Sequence, residues 1–187
     1  MLSSKFGHFL DRPLSSLAHK IHVSPNVITV TGFLITIVAA IILAHNLFWG
    51  GLLILIGGLF DILDGVIART HKKSTQFGAF LDSVLDRYSD SFLFLGLAWY
   101  FLHINSVTGV SLSLGTMIGA LLVSYTRARA EGLGKDCNVG LMERPERIVL
   151  MAFGAITGWI LFVMWIMFIL THATVIQRIY HVWKGLK

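Results

Sequence analysis

Five aspartates stand in otherwise apolar sequence, and any chemistry this chain performs should begin with them. Asp61, Asp64, Asp82, Asp86 and Asp90 are half of its ten acidic residues. A charge at the centre of a membrane helix costs about 2.5–3.5 kcal/mol on insertion scales, so something must offset that cost. Asp61 and Asp64 are three apart, and Asp82 and Asp86 four apart, which puts each pair on one helix face. In an antiparallel hairpin turning at 70–77, Asp64 lies about 7.5 Å and Asp61 about 12 Å inward from Arg69. Asp82 lies about 6 Å and Asp86 about 12 Å inward from Gly78. Matched depths bring four carboxylates into one layer, where they repel unless a cation sits between them. All-oxygen ligation selects Mg²⁺, Mn²⁺ or Ca²⁺ over zinc or copper, and four carboxylates suit two ions. Such a site can bridge a pyrophosphate and stabilise charge on a leaving phosphate. Gly65 and Gly78 let a ligand approach the backbone, and Arg69 can hold phosphate oxygens. Asp90 and Arg87 read instead as members of a buried Asp–Arg network that ties helices together.

The elements that must position these residues follow from composition. Of 187 residues, 55% are hydrophobic and only 13% charged, with a mean hydropathy of +0.75. Soluble domains carry about 25% charged residues, so a soluble globule is excluded, and intrinsic disorder with it. The single cysteine, Cys137, excludes a disulfide framework and a multi-cysteine zinc site. The expected fold is all-α and polytopic, with six transmembrane spans forming one domain over 25–187. Spans are expected at 27–44, 48–69, 78–101 and 108–127. The stretch 147–185 is too long for one crossing and should break near Thr157-Gly158. Ser24 is placed to cap the first span and Pro25 to start it. Before it, Leu2, Phe6, Leu10, Leu14, Leu17 and Ile21 mark one face of an amphipathic helix over 1–24, lying on the membrane surface.

Charge placement orients the bundle. The connections at 45–48, 102–107 and 157–158 carry no Lys or Arg, whereas the N-terminal segment, the 69–73 turn, residues 127–147 and the C-terminal end carry all but Arg87. The positive-inside rule puts the basic side and both termini in the cytoplasm. The four acids then lie just below the cytoplasmic headgroups. Intramembrane acids also mark ion pathways, so a cation or proton transporter is the alternative class, although the outer halves of the spans hold no charged relay.

Residues 61–86 read D-I-L-D-G-V-I-A-R, eight residues, then G-A-F-L-D-S-V-L-D. This resembles the CDP-alcohol phosphotransferase signature D-x2-D-G-x2-A-R-x8-G-x3-D-x3-D at every defined position, and the wider resemblance runs from S-P-N-V-I-T to Arg178. The resemblance implies a six-helix, multi-pass membrane enzyme, usually a homodimer in the plasma membrane, with no nucleic-acid partner. It implies transfer of a phosphatidyl group from a CDP-linked lipid to a polar alcohol, with release of CMP. It further implies Asp61, Asp64, Asp82 and Asp86 as ligands of two Mg²⁺ or Mn²⁺ ions, with Asp86 as general base. The turn Asn26, Val27, Ile28 and Thr29, together with Asp61, Gly65, Arg69, Thr75 and Gly78, takes the CDP-lipid.

The acceptor is read from S-Y-T-R-A-R-A-E, M-E-R-P-E-R and Gln177-Arg178. A cluster of guanidinium forks suits a doubly charged phosphate better than serine or choline. These segments resemble the phosphatidylinositol-phosphate synthase branch, in which the positions matching Ser124, Arg127, Arg144, Arg147 and Arg178 hold the inositol phosphate. Ordinary helix-end anchoring, with salt bridges to Glu131, Glu143 and Glu146, is the alternative role for these arginines. Arg127 departs from the lysine of that branch, which keeps a glycerol-3-phosphate acceptor, and so phosphatidylglycerophosphate synthase, as the alternative.

Overall fold

The computed structural model describes residues 24–70 and 75–186, all-helical apart from short connections. The surface helix expected over 1–24 and the turn residues His71, Lys72 and Lys73 lie outside the described residues. The helices are α1 (Pro25–Leu43), α2 (Leu47–Thr70), α3 (Gln76–His103), α4 (Val107–Glu131), α5 (Arg144–Thr157) and α6 (Ile160–Leu186). Among them α1, α4 and α6 are long and apolar enough to cross a membrane, and α2 holds a shorter apolar stretch, Leu47–Leu63.

Local chemistry sets the ends. Pro25 starts α1, but the Ser24 side chain makes no capping bond; its carbonyl accepts from Val27 N at 3.0 Å instead. Proline has no N–H, so the first turn needs less capping. Asn46 Oδ1 accepts from Trp49 N at 3.1 Å to open α2. Thr75 Oγ1 accepts from Gly78 N at 3.0 Å to open α3. Gly158, at φ 77°, closes α5 in the left-handed region that favours glycine. The expected break falls there.

Each helix packs mainly on two others, in the ring α1–α3–α4–α6–α5–α2 and back to α1. Short turns gather at one end, where the His45 and His103 rings lie 5.8 Å apart. Small residues let backbones touch. A Cβ at Gly96 would stand 2.4 Å from Ala40 O, and one at Gly50 2.5 Å from Leu43 Cα. Membrane helices lack a hydrophobic drive toward each other and rely on such contacts. Leu43, Leu93, Leu97, Phe101, Met151, Met164 and Met167 fill the interior. Leu34, Trp99, Ile118, Phe162 and Ile169 are exposed on the outside, a surface that suits hydrocarbon and not water.

At the other end α5 departs from the pattern. It has 14 residues, about 21 Å at helical rise, against a hydrocarbon core of about 30 Å. The missing length is irregular chain packed inward, with Cys137 and Met142 buried. Its polar backbone is satisfied by α6. Leu141 N and Met142 N donate to Thr174 Oγ1 at 3.2 and 3.1 Å, and Arg178 Nε donates to Val139 O at 2.8 Å. The short helix leaves a recess, and the site lies in it.

Candidate active site

Three helices converge on one layer. α2 supplies Asp61, α3 supplies Asp82, Asp86 and Asp90, and the first turn of α5 supplies Arg144 and Arg147. Arg144 Nη1 lies 2.6 Å from Asp61 Oδ2 and 2.8 Å from Asp86 Oδ1, and its Nε lies 3.5 Å from Asp90 Oδ1. Asp61 and Asp86 thus meet at Arg144 at one depth, although α2 and α3 do not pack on each other as the expected hairpin would, each lying instead against α1. Asp82 precedes Asp86 by one turn on the same face. Asp64 occupies the next turn of α2 after Asp61, and its side chain lies outside the described residues, as does that of Arg69.

The donor set suits a hard divalent cation. Carboxylate oxygens from two helices already converge on a positive charge, that of Arg144, and all-oxygen sites of this kind hold Mg²⁺ or Mn²⁺. Among the described residues no three such side chains stand close enough to hold one ion; Asp61 and Asp86 are the two that converge, on Arg144.

A cavity of about 190 Å³ opens beside this layer, and Asp86 lines it. Ser124, Arg127, Arg144, Arg147 and Arg178 line it too, so the five residues assigned to the acceptor do come together. Their availability differs. Arg147 is 2% exposed. Its Nε and Nη2 reach Asp90 Oδ2 at 3.2 and 2.6 Å, and Nη1 donates to Met142 O at 3.2 Å. Arg178 is equally buried. It donates to Val139 O, Val123 O and Glu143 Oε1. Every guanidinium nitrogen of both residues has a protein partner, although both side chains line the cavity. Arg127 is more open, with 44% of its side chain exposed while Nε holds Glu131 at 2.9 Å.

One expectation needs correction. Asp90 does join a buried Asp–Arg network, through Arg147 and Arg144, but Arg87 is not among its partners. Helical side chains lean toward the N-terminus, which carries Arg87 back to the Ser83 carbonyl, with Nη1 4.0 Å from Asp86. Glu143, expected as a salt-bridge partner of the arginines, is one, and its place at the cavity is what sequence reasoning missed. It lines the cavity, 3.9 Å from Arg127 and 3.4 Å from Arg178. Its position directly before Arg144 was the available signal.

The starts of α1 and α3 form a second small assembly. A Cβ at Gly78 would stand 3.0 Å from Thr75 Oγ1 and 3.1 Å from Asn26 Oδ1, so only glycine leaves this corner open. Ile28 and Thr29 are buried behind it, whereas the Val27 side chain is 53% exposed and points away from the core.

The family model described as CDP-alcohol phosphatidyltransferase matches residues 22–180. An archaetidylinositol phosphate synthase of Methanothermobacter thermautotrophicus is 36% identical, over 98% of this chain and 95% of that protein. A phosphatidylinositol phosphate synthase of Mycobacteroides abscessus is 36% identical, over 92% of this chain and 83% of that one. Among solved structures, the Mycobacterium tuberculosis phosphatidylinositol phosphate synthase with CDP-DAG bound superposes with a TM-score of 0.85 at 31% identity, covering 92% of this chain and 94% of that chain. The same enzyme in complex with manganese and citrate gives a TM-score of 0.83 at 30% identity, covering 92% and 88%.

Proposed function

This chain belongs to the CDP-alcohol phosphatidyltransferase family, and from that premise we propose that it moves a phosphatidyl group, or its ether-lipid analogue, from a CDP-linked lipid to inositol phosphate, releasing CMP. One observation carries the acceptor assignment. Asp86 and the arginine cluster line the same cavity, so a reacting hydroxyl and the phosphate that anchors it fit side by side.

Asp61, Asp64, Asp82 and Asp86 act as the metal ligands in this reading. Bound divalent ions, two of them and Mg²⁺ or Mn²⁺ by donor type, supply Lewis-acid stabilisation of the pyrophosphate. The corner of Asn26, Thr75 and Gly78, with Val27, Ile28, Thr29, Gly65 and Arg69, holds the cytidine diphosphate. Arg127, Arg144 and Ser124 take the acceptor phosphate, and Arg147 and Arg178 keep the cavity wall in shape. Asp86 accepts the proton of the attacking hydroxyl. The new bond forms at the phosphorus attached to the lipid, and the bond from that phosphorus to CMP breaks.

All six helices cross the membrane in this reading, α5 together with the buried chain before it, and residues 25–187 form one domain. The charged end and both termini face the cytoplasm, the segment 1–24 lies along the plasma-membrane surface, and two copies pair. Cysteines placed at His45, Asn105 or Gly158, in a protein lacking Cys137, should react with an impermeant thiol reagent only from outside. Those at Lys73 and Lys135 should react only from the cytoplasm. Labelling of 73 and 105 from one face breaks the topology.

The deciding experiment offers radiolabelled inositol phosphate, glycerol-3-phosphate, serine and inositol, each with CDP-diacylglycerol and with its ether-lipid counterpart. CMP release with inositol phosphate supports the reading. Preference for glycerol-3-phosphate, which Arg127 keeps open, overturns the acceptor.

A further inference from the structure

We propose that Arg144 is an exchangeable internal cation that couples metal binding to acceptor binding; this rests on the reading above that Asp61 and Asp86 ligate the metal. The guanidinium and a divalent ion compete for the same two oxygens. Mg²⁺ needs its carboxylate oxygens at about 2.0–2.1 Å, and Arg144 Nη1 already lies 2.6 and 2.8 Å from them. Two adjacent positive charges repel, so the ion's arrival expels the guanidinium.

Arg144 is built to leave. Nη1 makes the two short ion pairs that hold it, while its buried Nε lies 3.5 Å from Asp90 Oδ1 and makes no hydrogen bond. Arg147, three residues on, uses all three guanidinium nitrogens. The side chain of Arg144 already lines the 190 Å³ cavity, so a small rotation moves its charge from the acid layer toward the acceptor site. The cavity is then more positive with metal bound than without it. By linkage, acceptor binding must tighten metal binding by the same factor. The device would order the reaction, because the phosphate of the acceptor finds its full complement of positive charge only after the catalytic ion is in place.

The test needs no turnover. Purified protein in detergent, without CDP-lipid, is titrated with Mn²⁺ by electron paramagnetic resonance, and with inositol phosphate by calorimetry at zero and saturating Mn²⁺. The wild type should bind inositol phosphate roughly 5- to 150-fold more tightly with Mn²⁺ present. Arg144→Gln should bind Mn²⁺ more tightly than the wild type and show no such coupling. Arg144→Lys keeps the charge, so it should retain competition, and it serves as the comparison if the glutamine variant does not fold. Unchanged or weaker Mn²⁺ binding in Arg144→Gln, or wild-type coupling in it, overturns the exchange. Unchanged Mn²⁺ affinity in Asp61→Asn and Asp86→Asn instead overturns the metal assignment on which it rests.

Discussion

Asp90 with Arg147, and Asp61 and Asp86 with Arg144, are acid–arginine groups in one layer of the same bundle, yet their surroundings differ sharply. The first pair is closed: the side chains are 8% and 3% exposed and the guanidinium has no spare nitrogen. The second is more open, with Asp61, Asp86 and Arg144 side chains each 18–19% exposed, although the cavity is lined by Asp90 and Arg147 as well as by Asp86 and Arg144. Closure makes an ion pair a fastener, because removing one partner leaves an uncompensated buried charge. Openness makes it a site, because another ion or a substrate can replace either partner. Identical residue types serve opposite ends here, and burial separates them.

The largest effect should come from the open group. Asp86→Asn or Asp61→Asn should cut turnover by roughly a thousandfold or more while the unfolding temperature stays near that of the wild type. Asp90→Asn should be milder on turnover. Wild-type activity in Asp86→Asn would erase the distinction between the groups. Next comes the closed pair. Arg147→Ala should cost about 3–5 kcal/mol of stability, read as lower yield and unfolding temperature in detergent. The double change Asp90→Leu with Arg147→Leu should recover much of it, since a packed apolar pair carries no desolvation cost. A folded Arg147→Ala protein with normal stability and a raised KM for inositol phosphate would move Arg147 into the open group. The half-exposed Arg127 should show a smaller, purely kinetic effect. Arg127→Ala loses one charge-assisted contact, about 1.5–3 kcal/mol, or roughly ten- to hundredfold in kcat/KM for the acceptor. The KM for CDP-lipid should stay constant. Thr75→Ala, in neither group, sets the floor: loss of the α3 cap should cost about 1 kcal/mol, measured by thermal unfolding.

Much of this was readable from spacing. The hairpin arithmetic placed Asp61 and Asp86 at one depth, and a single nitrogen of Arg144 reaches both. Helix boundaries drifted where polar contacts extend a helix beyond its apolar stretch. α4 runs on to Glu131, held by its pair with Arg127 at i, i+4. What spacing could not reveal depends on contacts distant in the chain. Arg147 and Asp90 lie 57 residues apart, and Arg178 reaches Val139 across 39. A pattern of 3.6 residues sees neither. The chain around Cys137 and Met142 was equally hidden, since loops usually lie on the surface, and contacts from Thr174, Arg178, Arg147 and His181 make its burial tolerable.

The short α5 also bears on how the molecule is made. A growing chain enters the bilayer segment by segment, and α5 is a poor unit for entry: 14 residues with Arg144, Glu146 and Arg147 in its first turn. An arginine at a helix centre adds about 2.5–3.5 kcal/mol to the cost of insertion, and one near the end less. α6 follows after two residues and is 27 residues of mostly apolar sequence. The two should therefore enter as a hairpin, with α6 providing the drive and α5 carried beside it. The acids of α2 and α3 then wait in the bilayer without their arginines until synthesis is nearly complete, which makes the last hairpin the step that assembles the site.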